Sequence, residues 1–158
     1  MPDPFPKDVN DKVKRVFVYG TLREGGSNRH VIANYIETSQ PATTHGRMYN
    51  FSEETQGGRG WYPYMEERGD DIIVGEMLTF AVGDWETALQ QLDSLEGCPD
   101  FYYRRVKEVT FVNGVTTEAW IYFMQDLKAC QGEHIESGDW IKDNRGLATD
   151  CADCASIA

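Results

Sequence analysis

The chain has 158 residues, 41% of them hydrophobic and 12% aromatic, which is the length and composition of one globular domain with enough chain to bury a core. Its 26 acidic and 15 basic residues give a formal net charge of −11. That balance argues against nucleic-acid binding, which rests on neutralising phosphates with a basic face. It does not exclude a small anionic substrate, because a few local donors outweigh a screened global charge.

Met1 to Lys14 is polar and proline-bearing, with no apolar core of a signal peptide, and reads as a leader. No apolar run approaches the roughly 18 residues of a membrane span, so the expected residence is cytoplasmic and no membrane partner is expected. Arg15-Val16-Phe17-Val18-Tyr19 reads as a short buried strand that feeds a turn at Gly20. Ser27 or Asn28 can cap a short helix with apolar positions Val31, Ile32, Tyr35 and Ile36, which Gln40-Pro41 should break. Thr43 to Phe51 reads as a second strand and Asp71 to Phe80 as a third. Between them Ser52 to Gly60 is polar and glycine-rich and is expected to be a loop. The proline in Trp61-Tyr62-Pro63-Tyr64 confines that segment to a sheet edge or a pocket rim.

Trp85, Ala88, Leu89, Leu92 and Leu95 recur at spacings of three and four, which predicts an amphipathic helix. Asp84 stands where an N-cap belongs and Gly97 where a C′ glycine ends a helix. Glu96 then falls in the last turn, beside the negative end of the helix dipole. An exposed carboxylate there is disfavoured by roughly 0.3–1 kcal/mol, and its pKa is pushed upward. A residue that costs stability and gains basicity is a candidate general base. A solvated glutamate at a frayed end is the competing reading. Asn113-Gly114 links the β-forming runs Tyr103–Val112 and Val115–Met124 as a type I′ hairpin. Beyond Met124 the chain turns polar, and residues 143 to 158 read as a C-terminal extension.

Three motifs stand out together. Val18-Tyr19-Gly20-Thr21-Leu22 lies near the start. Leu92-Asp93-Ser94-Leu95-Glu96-Gly97 is followed by Phe101-Tyr102-Tyr103-Arg104-Arg105. Gly138-Asp139-Trp140 lies near the end. In this combination the chain resembles the gamma-glutamylcyclotransferase-like family, which includes gamma-glutamylamine cyclotransferases, a butirosin-pathway cyclotransferase and AIG2-like proteins. The resemblance covers residues 15 to 142 and implies one domain there. The implied fold is α+β: a small, twisted, mostly antiparallel β-barrel with a few flanking helices, in agreement with the strand pattern.

The resemblance also implies a reaction. The free α-amino group of a gamma-glutamyl unit attacks its own gamma-carbonyl, which closes 5-oxoproline and releases the amine. Ring closure supplies proximity, so a base, oxyanion donors and a cradle suffice, without a nucleophile. Glu96 matches the family's catalytic glutamate. Tyr19, Gly20, Thr21 and Leu22 match its substrate loop, where a sharp turn can offer backbone N–H groups to an anion. Tyr122 lies in the strand where the family places a tyrosine near substrate. Tyr49, Tyr64 and Tyr103 are further candidates for the pocket wall, with core packing as the alternative. Arg23, Glu24 and Asn28 follow the loop and are candidates for specificity.

Asp93 is expected to be a solvated or strand-capping carboxylate, and one of Arg104 and Arg105 to pair with an acid inside the fold. His30, His45 and His134 lack ligand spacing, and Cys151 and Cys154 form a single CxxC, so neither a metal site nor a cofactor is expected. Cys98 has no candidate base beside it and reads as a thiol at the pocket edge. The expected partner is a small-molecule or carrier-linked gamma-glutamyl substrate, with the chain a monomer or homodimer. Two other functions fit the same residues. One is a binding module that kept the pocket, and the other is a hydrolase using the same carboxylate.

Overall fold

The computed structural model describes residues 12–26, 28–55, 58–96, 102–124 and 133–143. Among these residues six strands are present: β1 (Arg15–Val18), β2 (Ile36–Thr55), β3 (Gly58–Phe80), β4 (Tyr102–Phe111), β5 (Thr116–Met124) and β6 (Glu133–His134). Two helices accompany them, α1 (Trp85–Glu96) and the single turn α2 (Trp140–Asp143). The strands run in the order β3-β1-β5-β4-β2-β6, and β2 also pairs with β3. The first five therefore close into a ring, with β6 hung on the outside of β2. Every pairing is antiparallel except β1 with β5, which meet in parallel at Val16 and Trp120. The expected small, mostly antiparallel barrel is what the chain forms.

Burial follows the two-residue period of a strand with one face on the core. Ala42, Thr44, Gly46 and Met48 of β2 are buried, while His45 and Arg47 between them are exposed. Strand β5 is different, because Ala119 to Met124 are all buried. A strand covered on both faces needs such a continuous apolar run. The core also takes in Val13, whose carbonyl accepts the Trp120 indole N–H at 2.8 Å, so the end of the leader is part of the domain.

Several local expectations are corrected. The residues after the first loop form two 3-10 turns, Arg29–Val31 and Ala33–Tyr35, instead of an α-helix, and Asn28 makes no side-chain cap. Ser27 lies outside the described residues. Strand β2 begins at Ile36 and passes through Pro41, which faces Glu76, so the proline does not mark the break. Ser52 to Thr55 and Gly58 to Gly60 extend β2 and β3 as paired strand rather than loop. Here the partner strand, not intrinsic propensity, sets the conformation.

The β4–β5 connection is a three-residue loop and not the expected type I′ turn. The Gly114 N–H bonds to the Phe111 carbonyl at 2.9 Å, and the Phe111 N–H to the Val115 carbonyl at 2.8 Å. Gly114 has φ +88°, but among the described residues no non-glycine residue has positive φ, whereas type I′ needs it at Asn113 as well. One irregularity in β3 is large. Arg47 and Gly46 are neighbours on β2 yet face Glu66 and Asp71, so Glu67 to Asp70 bulge out of the ladder.

Candidate active site

Helix α1 begins after Asp84, whose carbonyl accepts the Ala88 N–H at 2.9 Å, as an N-cap residue should. It buries Trp85, Ala88, Leu89, Leu92 and Glu96. The stripe runs through 85, 89, 92 and 96, so the helix turns Glu96 inward and leaves Leu95 only half-buried. Glu96 is 0% exposed, and both carboxylate oxygens are buried. It is not the solvated glutamate of a frayed end.

Asp93, one turn earlier, occupies the rim of the same stripe. Arg104 of β4 is 0% exposed and donates to it twice, Nε to Oδ1 at 2.9 Å and Nη2 to Oδ2 at 3.1 Å. This two-pronged geometry fixes the carboxylate as well as neutralising it. Tyr122 lies opposite Arg104 on β5 and donates its hydroxyl to Asp93 Oδ1 at 2.6 Å. The guanidinium also lies 4.5 Å above the Trp120 ring. Of the two arginines, Arg104 is thus the one paired inside the fold. Arg105 is exposed and lies 3.5 Å from Glu67. Asp93, though partly exposed, is therefore the ion-pair partner of a buried arginine and not a free solvated carboxylate or a strand cap.

The end of β1 reaches the same place. The Tyr19 hydroxyl donates to the Tyr122 carbonyl at 2.7 Å. Burial pushes the Tyr19 hydroxyl well above its ordinary pKa, and the Glu96 charge raises it further. Tyr122 is likewise raised, by burial first, then by Asp93 and, among smaller influences, by Glu96. Both phenols therefore remain protonated donors at neutral pH, with their protons committed to Tyr122 and Asp93. Neither can act as a base.

Gly20, Thr21 and Leu22 form a tight turn in which successive carbonyls are held by residues downstream. The Gly20 carbonyl accepts the Arg23 N–H at 3.0 Å and the Thr21 carbonyl the Asn28 N–H at 2.9 Å. Asn28 Nδ2 also bonds Thr21 Oγ1 at 3.0 Å, and Arg29 Nη1 bonds the Leu22 carbonyl at 3.2 Å. In a planar trans peptide the N–H points opposite the C=O. Fixing the Gly20 and Thr21 carbonyls toward the downstream segment turns the Thr21 and Leu22 N–H groups the other way.

Arg23 and Asn28, read from sequence as specificity candidates, are ties within this loop. Arg23 bonds Glu76 at 3.4 Å and Asp139 at 2.8 Å. Asp139 belongs to Gly138-Asp139-Trp140, which docks on the barrel. The Gly138 carbonyl accepts the Val74 N–H at 2.8 Å, and the Trp140 indole donates to Asn50 Oδ1 at 2.8 Å. The three sequence motifs are thus linked, the first to the second through Tyr19, Tyr122 and Asp93, and to the third through Arg23 and Asp139.

The other candidates divide. Tyr49 and Tyr64 stack at 5.2 Å as part of the barrel wall. Tyr103 donates to Glu67 at 2.9 Å and lines a cavity of about 540 Å³ with Glu66, Glu67, Arg68 and Lys107. Burial, and next the bond to Glu67, push the Tyr103 hydroxyl up to about 12. His134 bonds Asp71 at 2.7 Å, while His30 and His45 are exposed. Among the described residues no group of three or more His, Cys, Asp and Glu could hold a metal ion. In the same residues no helix is long and apolar enough to cross a membrane. Gly97, Phe101 and all four cysteines, including Cys98, lie outside the described residues. Sequence reasoning missed Glu76, whose only local signal is its place after Gly75 in a strand.

Comparison with known proteins places the chain in a family. The family model described as gamma-glutamyl cyclotransferase, AIG2-like, matches residues 16–142. A protein of Methanocaldococcus jannaschii named "Putative gamma-glutamylcyclotransferase" is 33% identical over 135 residues, which cover 83% of this chain and 98% of that one. Gamma-glutamylaminecyclotransferase A of Danio rerio is 28% identical over 111 residues, covering 68% of this chain and 66% of that one. Among solved structures, YkqA of Bacillus subtilis superposes with a TM-score of 0.58 at 25% identity, over 86% of this chain and 42% of YkqA. An uncharacterized Pyrococcus horikoshii protein superposes at 0.54 and 18% identity, over 84% of this chain and 94% of its own, and shares the fold.

Proposed function

The chain belongs to the gamma-glutamyl cyclotransferase, AIG2-like family, and on that premise we propose that it closes the gamma-glutamyl end of a small or carrier-linked conjugate into 5-oxoproline, with Glu96 as the acid–base group. The substrate's α-ammonium gives a proton to the Glu96 carboxylate. The freed nitrogen attacks the gamma-carbonyl carbon, forming the ring C–N bond. As the tetrahedral centre collapses, the bond from that carbon to the departing amine breaks and Glu96 returns its proton to the leaving nitrogen. The ring nitrogen then gives its remaining extra proton to the freed Glu96 carboxylate, which passes it to the amine, so that the amine departs as an ammonium. No net proton is gained or lost.

The observation that carries this reading is the complete burial of Glu96 within electrostatic reach of Tyr19 and Tyr122, from three parts of the chain distant in sequence. A carboxylate enclosed away from bulk water can exchange a proton with substrate without losing it to solvent. Asp93 is held by Arg104 and Tyr122 in a fixed pair, and Glu96 is the carboxylate that matches the family's catalytic glutamate. The N–H groups of Thr21 and Leu22, turned away from the downstream segment, suit a developing oxyanion or the substrate carboxylate. Within a water-poor site those dipoles act more strongly than in bulk solvent.

The test is release of 5-oxoproline from a panel of gamma-glutamyl amines and gamma-glutamyl amino acids. Stoichiometric appearance of 5-oxoproline and amine supports cyclisation. Free glutamate in place of 5-oxoproline would mean a hydrolase. Saturable binding with neither product would mean a binding module.

A further inference from the structure

We infer that Glu76 is the positioning residue of the substrate loop, setting the orientation of the peptides that face the reacting carbonyl. This rests on the cyclotransferase reading given above. Glu76 sits on β3 directly opposite Val18, the last residue of β1 before the Tyr19-Gly20-Thr21-Leu22 turn. Its neighbour Gly75 lets β1 come that close. A Cβ at Gly75 would lie 2.2 Å from the Val18 carbonyl oxygen and 2.6 Å from the Phe17 ring.

From that point one carboxylate gathers the whole downstream half of the loop. The Glu24 N–H bonds both its oxygens, at 3.2 and 3.0 Å. Arg23 reaches Oε2 at 3.4 Å, Arg29 Nη1 reaches Oε1 at 2.8 Å, and the Ser39 hydroxyl reaches Oε1 at 3.1 Å. The Glu76 side chain is only 12% exposed, so these bonds are poorly screened.

The link to the turn runs through Arg29. The same Nη1 that bonds Glu76 also bonds the Leu22 carbonyl. Arg23, whose N–H closes the turn on Gly20, is held by Glu76 on one side and Asp139 on the other. Glu76 itself touches no residue assigned to proton transfer. Its effect on the reaction is therefore exerted through the aim of the Thr21 and Leu22 N–H groups.

The experiment compares wild type, Glu76→Gln, Glu76→Asp, Arg29→Gln and the double variant Glu76→Gln with Arg29→Gln in the full chain by two readouts. One is hydrogen exchange of the amides of residues 20–29. The other is steady-state release of 5-oxoproline from the best substrate of the panel. Glu76→Gln keeps an acceptor for the Glu24 N–H but loses both charged pairs. Faster exchange confined to 20–29 is expected, with KM raised about 10- to 100-fold and kcat changed far less, as for loss of one or two charge-assisted bonds. Arg29→Gln should act in the same direction, the double variant should be no worse than the stronger single, and Glu76→Asp should restore part of the loss.

Exchange identical to wild type overturns the inference. So does faster exchange with unchanged KM, or loss of kcat alone in proportion to unfolded protein. If wild type releases no 5-oxoproline, the cyclotransferase reading falls separately. The exchange readout then decides alone whether Glu76 orders the loop.

Discussion

Tyr19 and Tyr122 are joined across the parallel β1–β5 seam, the hydroxyl of the first donating to the main-chain carbonyl of the second at 2.7 Å. Tyr122 passes the chain of contacts onward, since its own hydroxyl donates to Asp93. A strand end, a central strand and a helix are thereby held in one geometry, and Glu96 lies one helical turn beyond the last link.

Glu96→Gln keeps the shape of the side chain but cannot accept a proton. Turnover is expected to fall by about 10²–10⁴-fold, the usual contribution of a general acid–base group. Thermal stability should hold or rise, because the amide avoids burying a charge. Near-wild-type turnover in the folded variant would remove Glu96 from the mechanism.

Arg104→Met leaves Asp93 without its buried cation. Removing one partner of a buried pair costs about 3–5 kcal/mol, and the partial exposure of Asp93 puts the expected loss near the low end. Adding Asp93→Asn should recover part of it, because the asparagine no longer needs a counter-charge. Chemical denaturation of the two singles and the double measures this coupling, and an Arg104→Met protein as stable as wild type would contradict it.

Alkaline pH should destabilise the fold through its tyrosines. Burial raises Tyr19 and Tyr122, and burial with the Glu67 bond raises Tyr103 to about 12. The unfolded chain releases these protons near pH 10, while the folded chain still holds them. The folded state then binds more protons, so stability falls as pH rises above about 10. Tyrosinate absorbance should show a late class that loses one member near pH 12 in Tyr103→Phe. If that variant loses nothing from the late class, Tyr103 is not held as described.

Gly138→Ala should be far costlier than Gly83→Ala. Both glycines have positive φ, +70° and +89°, so each alanine bears roughly 1–2 kcal/mol of backbone strain. At Gly138 the added Cβ would also lie 1.9 Å from the Ile72 carbonyl oxygen, whereas at Gly83 nothing lies within 4 Å. A drop in melting temperature of about 5 °C or more is expected at Gly138, against a few degrees at Gly83. Equal drops would mean that the Gly138-Asp139-Trp140 segment is not packed on β3 as described.

Local patterns carried the strands, the helix and the motif positions, because those depend on neighbours in sequence. The spacing rule failed at Glu96, where apolar residues suggest Leu95 on the buried stripe and the helix turns the carboxylate in. Asn113-Gly114 correctly marked a hairpin, but the backbone there adopts the alternative three-residue loop open to the same dipeptide. The strand character of 52–55 and 58–60 was hidden, since glycine and polar residues extend there only by pairing with each other. Glu76 was invisible for a different reason. Its partners Arg23 and Arg29 lie 53 and 47 residues away, and no local pattern announces contacts at that range.

The ring order also dictates when the protein can finish folding. β1 emerges first during synthesis, yet its two neighbours are β3 and β5, with Val16 facing Leu78 on one side and Trp120 on the other. Until residues near Trp120 have left the ribosome, one flank of β1 is an open edge able to recruit a strand from another chain. Closure across more than a hundred residues also makes for slow folding, as topologies rich in distant contacts do. Chains terminated between α1 and β5 should therefore aggregate rather than accumulate as a soluble half-barrel.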